Sequence, residues 1–146
     1  MRASQKREYV FKLLYCNEFH SREEMPEKFK GFWDNKEYMN DEENLDELIG
    51  LSEKEKDEVN ERAADIIMKL SFIDKKLDKK VRKWSVDRMS KVDLCILRLA
   101  YYEMRMDEEI DPKVAINEAV ELAKKYGSDD SPSFVNGVLA RFYKED

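Results

Sequence analysis

The chain has 146 residues, of which 42% are hydrophobic and 41% carry a charge. This length and apolar content suit one domain with a single sizeable core. With four glycines and three prolines, the chain has too few turn residues for a fold of many short strands. We therefore expect an all-α protein, with one compact domain over residues 1–146.

The formal net charge of −6 is unevenly distributed. Residues 34–61 hold twelve acids and three lysines, a local charge of −9 that leaves +3 for the rest of the chain. Screening over roughly 10 Å in physiological salt separates such regions. The acidic segment therefore does not exclude a nucleic-acid partner elsewhere on the surface.

Neither a secretory signal nor an apolar run of about 18 residues occurs, so we expect a cytoplasmic protein. Cys16 and Cys95 fall in apolar helical patterns, without the Cys-x-x-Cys spacing of metal or redox sites. This position is typical of small core residues rather than of ligands or nucleophiles.

A first amphipathic helix is predicted from Ser4 onward. Its apolar residues recur at helical spacing and continue to Phe19: Val10, Phe11, Leu14, Tyr15 and Phe19. Cations are disfavoured by the dipole at a helix start, whereas phosphate is welcome there. The basic start of this helix thus suits either phosphate binding or an ordinary solvated terminus.

One or two short helices are expected in residues 21–50. Ser52 and Glu55 then form a capping box, which predicts one long helix with an apolar face from Val59 to Ile73, the central helix of the core. The basic run from Lys75 to Lys83 places Leu77, Val81 and Trp84 inward on a helix. A solvated face is favoured there over an RNA-binding patch.

Ser90 and Asp93 give a second capping signal, followed by a core stripe that includes Ile96 and Leu99. Arg98 and Glu103 lie close to that stripe. Because an unpaired buried charge is costly, we expect both to have structural roles with partners.

The last two helices are marked by strong boundary signals. Asp111 is a predicted N-cap with Pro112 at the first helical position, and Gly127 stands where a left-handed terminator is expected. After the polar loop of residues 128–130, Ser131 and Pro132 repeat the start signal.

Phe134 would lie in the first turn of the last helix, beside free backbone donors. A nucleotide could stack its base on this ring and rest its phosphate on the helix start. A core anchor is the other interpretation, and spacing alone favours it.

Residues that carry out catalysis are scarce. The chain has no Gly-rich phosphate loop, no His-x-x-x-His pair, no Gly-x-Ser-x-Gly elbow and a single histidine. We therefore predict a binding protein rather than an enzyme, with no cofactor and no metal.

The order of residues resembles the transcription antitermination factor NusB family. The likeness is strongest in residues 113–119 (KVAINEA) and 134–139 (FVNGVL), and good in residues 88–93, 96–100 and 102–103. Residues 7–8 and 14–15 look like the family's first helix, whereas residues 21–50 carry no likeness.

This resemblance implies a compact bundle of about seven helices in two packed subdomains, without catalysis. It implies binding to the boxA element of nascent ribosomal RNA, as single-stranded RNA, together with the small-subunit ribosomal protein also called NusE. The pair would join an RNA polymerase antitermination complex.

The resemblance also implies positions for the contacts. The RNA-binding residues would be Arg2, Lys6, Arg7, Asp130, Ser133 and Phe134, and the protein partner would meet Tyr15 and Asp93. The basic cluster is sparser than is usual in the family, and Ser133 stands where a basic residue is often found. We therefore predict weak RNA binding by the chain alone and a need for the ribosomal protein.

Two other functions remain open. NusB-like domains also occur in front of RNA cytosine methyltransferases, so the chain could be an accessory domain that delivers RNA to an enzyme. A protein-interaction module without RNA contact is the second alternative. The sequence does not specify the RNA sequence preference, the oligomeric state or the role of the acidic segment.

Overall fold

The computed structural model describes residues 3–19, 52–80 and 89–144. All regular structure within these ranges is helical, which confirms the expected all-α fold class. The short helices expected in residues 21–50 lie outside the described residues, so six helices stand against about seven predicted. They are α1 (Ala3–Asn17), α2 (Glu53–Met68), α3 (Leu70–Lys80), α4 (Lys91–Met106), α5 (Pro112–Tyr126) and α6 (Ser131–Lys144).

The chain divides into two compact units, Met1–Ile67 and Met68–Asp146. The first unit contains α1 and α2, and each of them buries apolar side chains. In α1 the buried set includes Tyr9, Val10, Leu13 and Leu14. In α2 it is Val59, Ala63, Ile66 and Ile67. The apolar spacing that predicted these two helices therefore marks their packed faces.

The prediction of one long helix from residue 53 to residue 73 is wrong. A turn at Lys69 separates α2 from α3, and the boundary between the two units falls beside it. The amide of Ile73 donates to the carbonyl of Lys69 at 3.0 Å and starts a new set of helical hydrogen bonds. Neither glycine nor proline marks this break, and apolar residues continue at helical spacing through it.

In the second unit, α4 takes the central place that we had expected for the helix after Ser52. It contacts α3, α5 and α6, and residues 94–104 are all buried. A helix enclosed on every side needs partners for its charged groups. Arg98 has such a partner, because its Nε and Nη2 atoms donate to the two carboxylate oxygens of Asp74, each at 2.8 Å.

Two predicted caps are confirmed. The amide of Glu55 donates to the Ser52 hydroxyl at 3.1 Å, and the Glu55 carboxylate accepts from the Ser52 amide at 3.3 Å. This reciprocal pair is a capping box. The amide of Asp93 donates to the Ser90 hydroxyl at 3.1 Å, so Ser90 is the N-cap of α4.

Cys16 and Cys95 are both buried free thiols, as expected for core residues. Among the described helices, none is long and apolar enough to cross a membrane.

Candidate nucleic-acid interface

The joint between α5 and α6 is the best-defined part of the predicted site. Asp111 caps α5, because its carboxylate accepts a hydrogen bond from the Lys113 amide at 2.9 Å, and Pro112 occupies the first turn. At the other end, the Gly127 amide donates to the Ala123 carbonyl at 2.9 Å. The predicted start and end of α5 are therefore confirmed.

The conformation expected for Gly127 is wrong. Its φ of −91° and ψ of −172° are extended, not left-handed. The reason for glycine is space, because a Cβ here would lie 2.5 Å from the Cβ and Oγ atoms of Ser131 and 2.8 Å from the Ala123 carbonyl oxygen. Glycine thus lets the start of α6 pack directly against the end of α5.

Ser131 forms hydrogen bonds with Ser128 in the preceding loop and is not the N-cap that the sequence predicts. Its buried hydroxyl accepts the Ser128 amide at 3.0 Å, and its own amide donates to the Ser128 carbonyl at 3.0 Å. The first helical hydrogen bond of α6 runs from the Phe134 amide to the Asp130 carbonyl at 3.1 Å. The N-cap position therefore belongs to Asp130, one residue earlier.

The helix start offers fewer free donors than the sequence suggests. The amides of Ser131 and Phe134 are already bonded, and Pro132 has no N–H. This leaves the amide of exposed Ser133 as the donor of the first turn for which the described ranges provide no acceptor. An anion at this helix start would thus meet one N–H group rather than several.

Phe134 is half-buried and lies at the wall of an open pocket of about 360 Å³. Besides Phe134, the pocket is lined by Met89, Ser90, Asp93, Ser128, Asp130 and Ser131. The ring is therefore available to a ligand rather than enclosed in the core. The pocket joins predicted RNA residues, Asp130 and Phe134, to a predicted partner residue, Asp93.

Asp93 brings an unusual carboxylate to this pocket. It lies in the first turn of α4, where the helix dipole favours a negative charge. One of its oxygens, Oδ1, is buried and has no hydrogen-bond partner among the described residues. A buried acceptor without a partner is costly, so the Asp93 side chain, which lines the pocket, would gain from turning toward a donor there.

The predicted cations of α1 are arranged differently. Lys6 forms an ion pair with Glu58 of α2, and both side chains are more than a third exposed. The hydrogen bond from Lys6 lowers the pKa of the Glu58 carboxyl below its usual value. Arg7 is buried at 9% exposure, and Arg2 lies outside the described residues.

Tyr15 is half-buried on α1, within a row of aromatic rings. Its ring centre lies 6.4 Å from that of Phe11 and 5.1 Å from that of Phe19, the latter in an edge-to-face arrangement. Phe19 itself lies beyond the end of α1 and is 60% exposed. The expectation that Phe19 continues the core stripe is therefore wrong, because the helix ends two residues before it.

Some lining residues were missed at the level of sequence. Met89 and Ser128 carried no sign of a binding role, and Ser90 was identified only as a cap. The cap was nevertheless a usable signal, since a helix start that packs beside another helix start can line a common pocket. Distances between α4 and the α5–α6 joint could not be read from local patterns.

Comparison with known proteins identifies the family of this chain. Residues 4–144 match the model of the NusB family. A protein named transcription antitermination protein NusB from Agathobacter rectalis is 44% identical over 97% of this chain and 99% of its own length.

Solved structures give the same result for the fold. NusB of T. maritima superposes with a TM-score of 0.77 at 34% identity, over 99% of this chain and 92% of that one. A complex of antitermination factors NusB and NusE with double-stranded RNA contains a chain with a TM-score of 0.75 at 24% identity and full coverage of both chains. The chain described here belongs to the NusB family.

Proposed function

We propose that this protein is a cytoplasmic, RNA-binding transcription antitermination factor without catalytic activity. It binds the boxA element of nascent ribosomal RNA together with a small-subunit ribosomal protein that acts as NusE, and the pair joins the RNA polymerase antitermination complex. The observation that carries the proposal is the pocket in which Phe134, Asp130 and Asp93 meet, in a chain that matches the NusB family over residues 4–144.

In this proposal the RNA is held mainly by stacking. A base of a single strand stacks on the half-buried ring of Phe134, and the next phosphate accepts a hydrogen bond from the Ser133 amide. The exposed carboxylate of Asp130 repels phosphate but accepts hydrogen bonds from the amino groups of bases. Asp130 would therefore select the part of the strand that presents base edges.

The protein partner would complete the same pocket. The described residues provide no hydrogen-bond partner for one carboxylate oxygen of Asp93, and a donor of the ribosomal protein would fill that role. Tyr15 on α1, with the exposed Phe19 beside it, offers an aromatic contact for that protein. Since RNA and partner would share the pocket edge at Asp93, each is expected to strengthen the binding of the other.

The test is binding of a boxA RNA to the full chain, with and without the ribosomal protein. We expect weak binding alone and clearly tighter binding with the partner. Phe134→Ala should weaken binding by about 1 to 3 kcal/mol, the usual range for one stacked base. The RNA should be presented both single-stranded and as a duplex, because the related complex contains double-stranded RNA.

Several outcomes would contradict the proposal. Failure to bind boxA RNA in both conditions would favour a protein-interaction module, whereas binding without preference for boxA would favour an accessory RNA-delivery domain. A large loss of thermal stability in Phe134→Ala would identify the ring as a core anchor. Val135→Ala, a fully buried neighbour, serves as the control for such a stability loss.

A further inference from the structure

Helix α3 presents a basic and aromatic surface that the pocket does not use. Phe72 is 49% exposed, and Lys75, Lys76 and Lys79 all lie within about 60° of it around the helix at 100° per residue. We call these four residues the α3 surface. Ile73 and Leu77 on the other side of α3 are fully buried, which fixes this face toward solvent.

Helix α3 carries four lysines and two aspartates, so the α3 surface keeps an excess of positive charge. Asp74 is engaged by the buried guanidinium of Arg98, and Asp78 lies about 120° around the helix from Phe72. Lys75 and Lys79 form no ion pair with any described residue. Lys76 lies over the Phe72 ring, with its Nζ atom 5.4 Å from the ring centre.

An exposed aromatic ring among lysines fits one class of ligand well. Single-stranded nucleic acid is bound by stacking of bases on aromatic side chains combined with phosphate contacts from a basic surface. An acidic protein segment would form ion pairs with the lysines, but its carboxylates would not stack on a solvent-facing phenylalanine ring. A base stacked on the ring would remove its apolar surface from water.

We infer that the α3 surface is a second RNA contact, which binds a single-stranded segment flanking the element proposed to bind in the pocket of Phe134, Asp130 and Asp93. The lysines contact successive phosphates, and Phe72 stacks on one base. The contact is independent of base sequence, because every base has a stacking face. This inference rests on the proposed function for its ligand and adds a second site on the same chain.

The experiment compares two RNAs with the full chain and the ribosomal protein present. One is the boxA element alone, and the other carries about ten added uridines, within the length that such surfaces cover. We expect the extension to tighten binding. The combined change Lys75→Gln, Lys76→Gln and Lys79→Gln should remove that gain and reduce the salt dependence by about 2, at roughly 0.7 per phosphate contact.

Phe72 is tested separately from charge. Phe72→Leu keeps an apolar side chain and should lose about fivefold or more of the affinity gained from the extension, whereas Phe72→Tyr should retain it. The matched charge control is the combined change Lys113→Gln, Lys124→Gln and Lys144→Gln, three exposed lysines on α5 and α6. It should leave the gain in place.

Three results would overturn the inference. They are an extension that adds no affinity, equal losses in the two triple variants, and full affinity in Phe72→Leu. Displacement of the extension by polyglutamate as readily as by polyuridine would assign the α3 surface to an acidic protein instead. Failure of the short boxA RNA to bind would count against the proposed function alone, because the effect of the extension is measured separately.

Discussion

The two units of the chain hold their charged groups in different ways. In the first unit, Lys6 is a predicted RNA contact, yet it is paired with Glu58 at the surface. In the second unit, the Arg98–Asp74 pair links α4 to α3, while Asp93 and Asp130 at the pocket form no ion pair with the described residues. The carboxylates at the pocket can therefore bind a ligand directly. Lys6 on α1 must first break its ion pair with Glu58.

The largest expected effect concerns the ion pair that supports the second unit. Asp74→Ala leaves the guanidinium of Arg98, which is 6% exposed, without its carboxylate. Breaking a buried pair from one side costs about 3 to 5 kcal/mol. We expect the low end of that range, because Asp74 is 25% exposed, and urea denaturation would measure the loss. Glu121→Ala removes the exposed partner of Lys124 and should cost under about 1 kcal/mol. Equal losses in the two variants would contradict the distinction.

The next effect concerns the joint that shapes the pocket. Gly127→Ala places a methyl group against Ser131 and the Ala123 carbonyl, so we expect a loss of about 1 to 3 kcal/mol and weaker RNA binding. Gly137→Ala on α6 is the control, since a Cβ there meets nothing within 4 Å. That change should stabilise the helix by about 0.5 to 1 kcal/mol. Thermal melts of both variants decide the matter.

A third effect concerns position 133, where a serine stands instead of a basic residue. Ser133→Lys adds a cation at the start of α6 and should raise the affinity of the chain alone for boxA RNA by about tenfold or less. Stability should fall by no more than about 1 kcal/mol, because Ser133 is exposed and the dipole at a helix start disfavours a cation only weakly there. Asn136→Lys adds the same charge at another exposed position of α6 and should do less. Titrations at two salt concentrations would reveal any general charge effect.

The smallest effect concerns the internal partner of Lys6. Glu58→Gln releases the cation and should raise RNA affinity by no more than about fivefold, since exposed ion pairs are weak. No rise at all would mean that Lys6 does not contact RNA.

The same ion pair gives a pH dependence of known sign. The folded-state pKa of Glu58 is lowered from its usual 4.5, so its contribution to stability is present above 4.5 and is lost as the pH falls through the lowered pKa. The difference in stability between the parent chain and Glu58→Gln should therefore shrink in acid. A constant difference across that range would exclude the ion pair as its cause.

The sequence predicted the helix starts well where a capping side chain accepts a hydrogen bond from the backbone of the helix that it begins. Ser52, Ser90 and Asp111 were each predicted as caps from neighbouring residues, and each accepts a backbone amide. The break at Lys69 was missed because apolar spacing continues through it. Likewise, Arg98 was expected to need a partner, but Asp74 lies 24 residues away and is brought close only by packing of α3 on α4.

The candidate site was predictable in part. Phe134 and the loop before it were singled out from the sequence, and the structure brings them to one pocket with Asp93. The exposure of Phe72 was not predicted, because an aromatic residue at helical spacing is more often in the core. Which face of a short helix is left open depends on how its neighbours pack, and no local pattern records that.

The hydrogen bonds between Ser128 and Ser131 make the loop easy to observe by nuclear magnetic resonance. The amide proton of Ser128 is held by a buried hydroxyl, so its exchange with solvent deuterium should be slow for a residue outside a helix. Both serines line the pocket. Ser128 therefore provides a spectroscopic reporter for occupancy of the pocket that requires no label on the ligand.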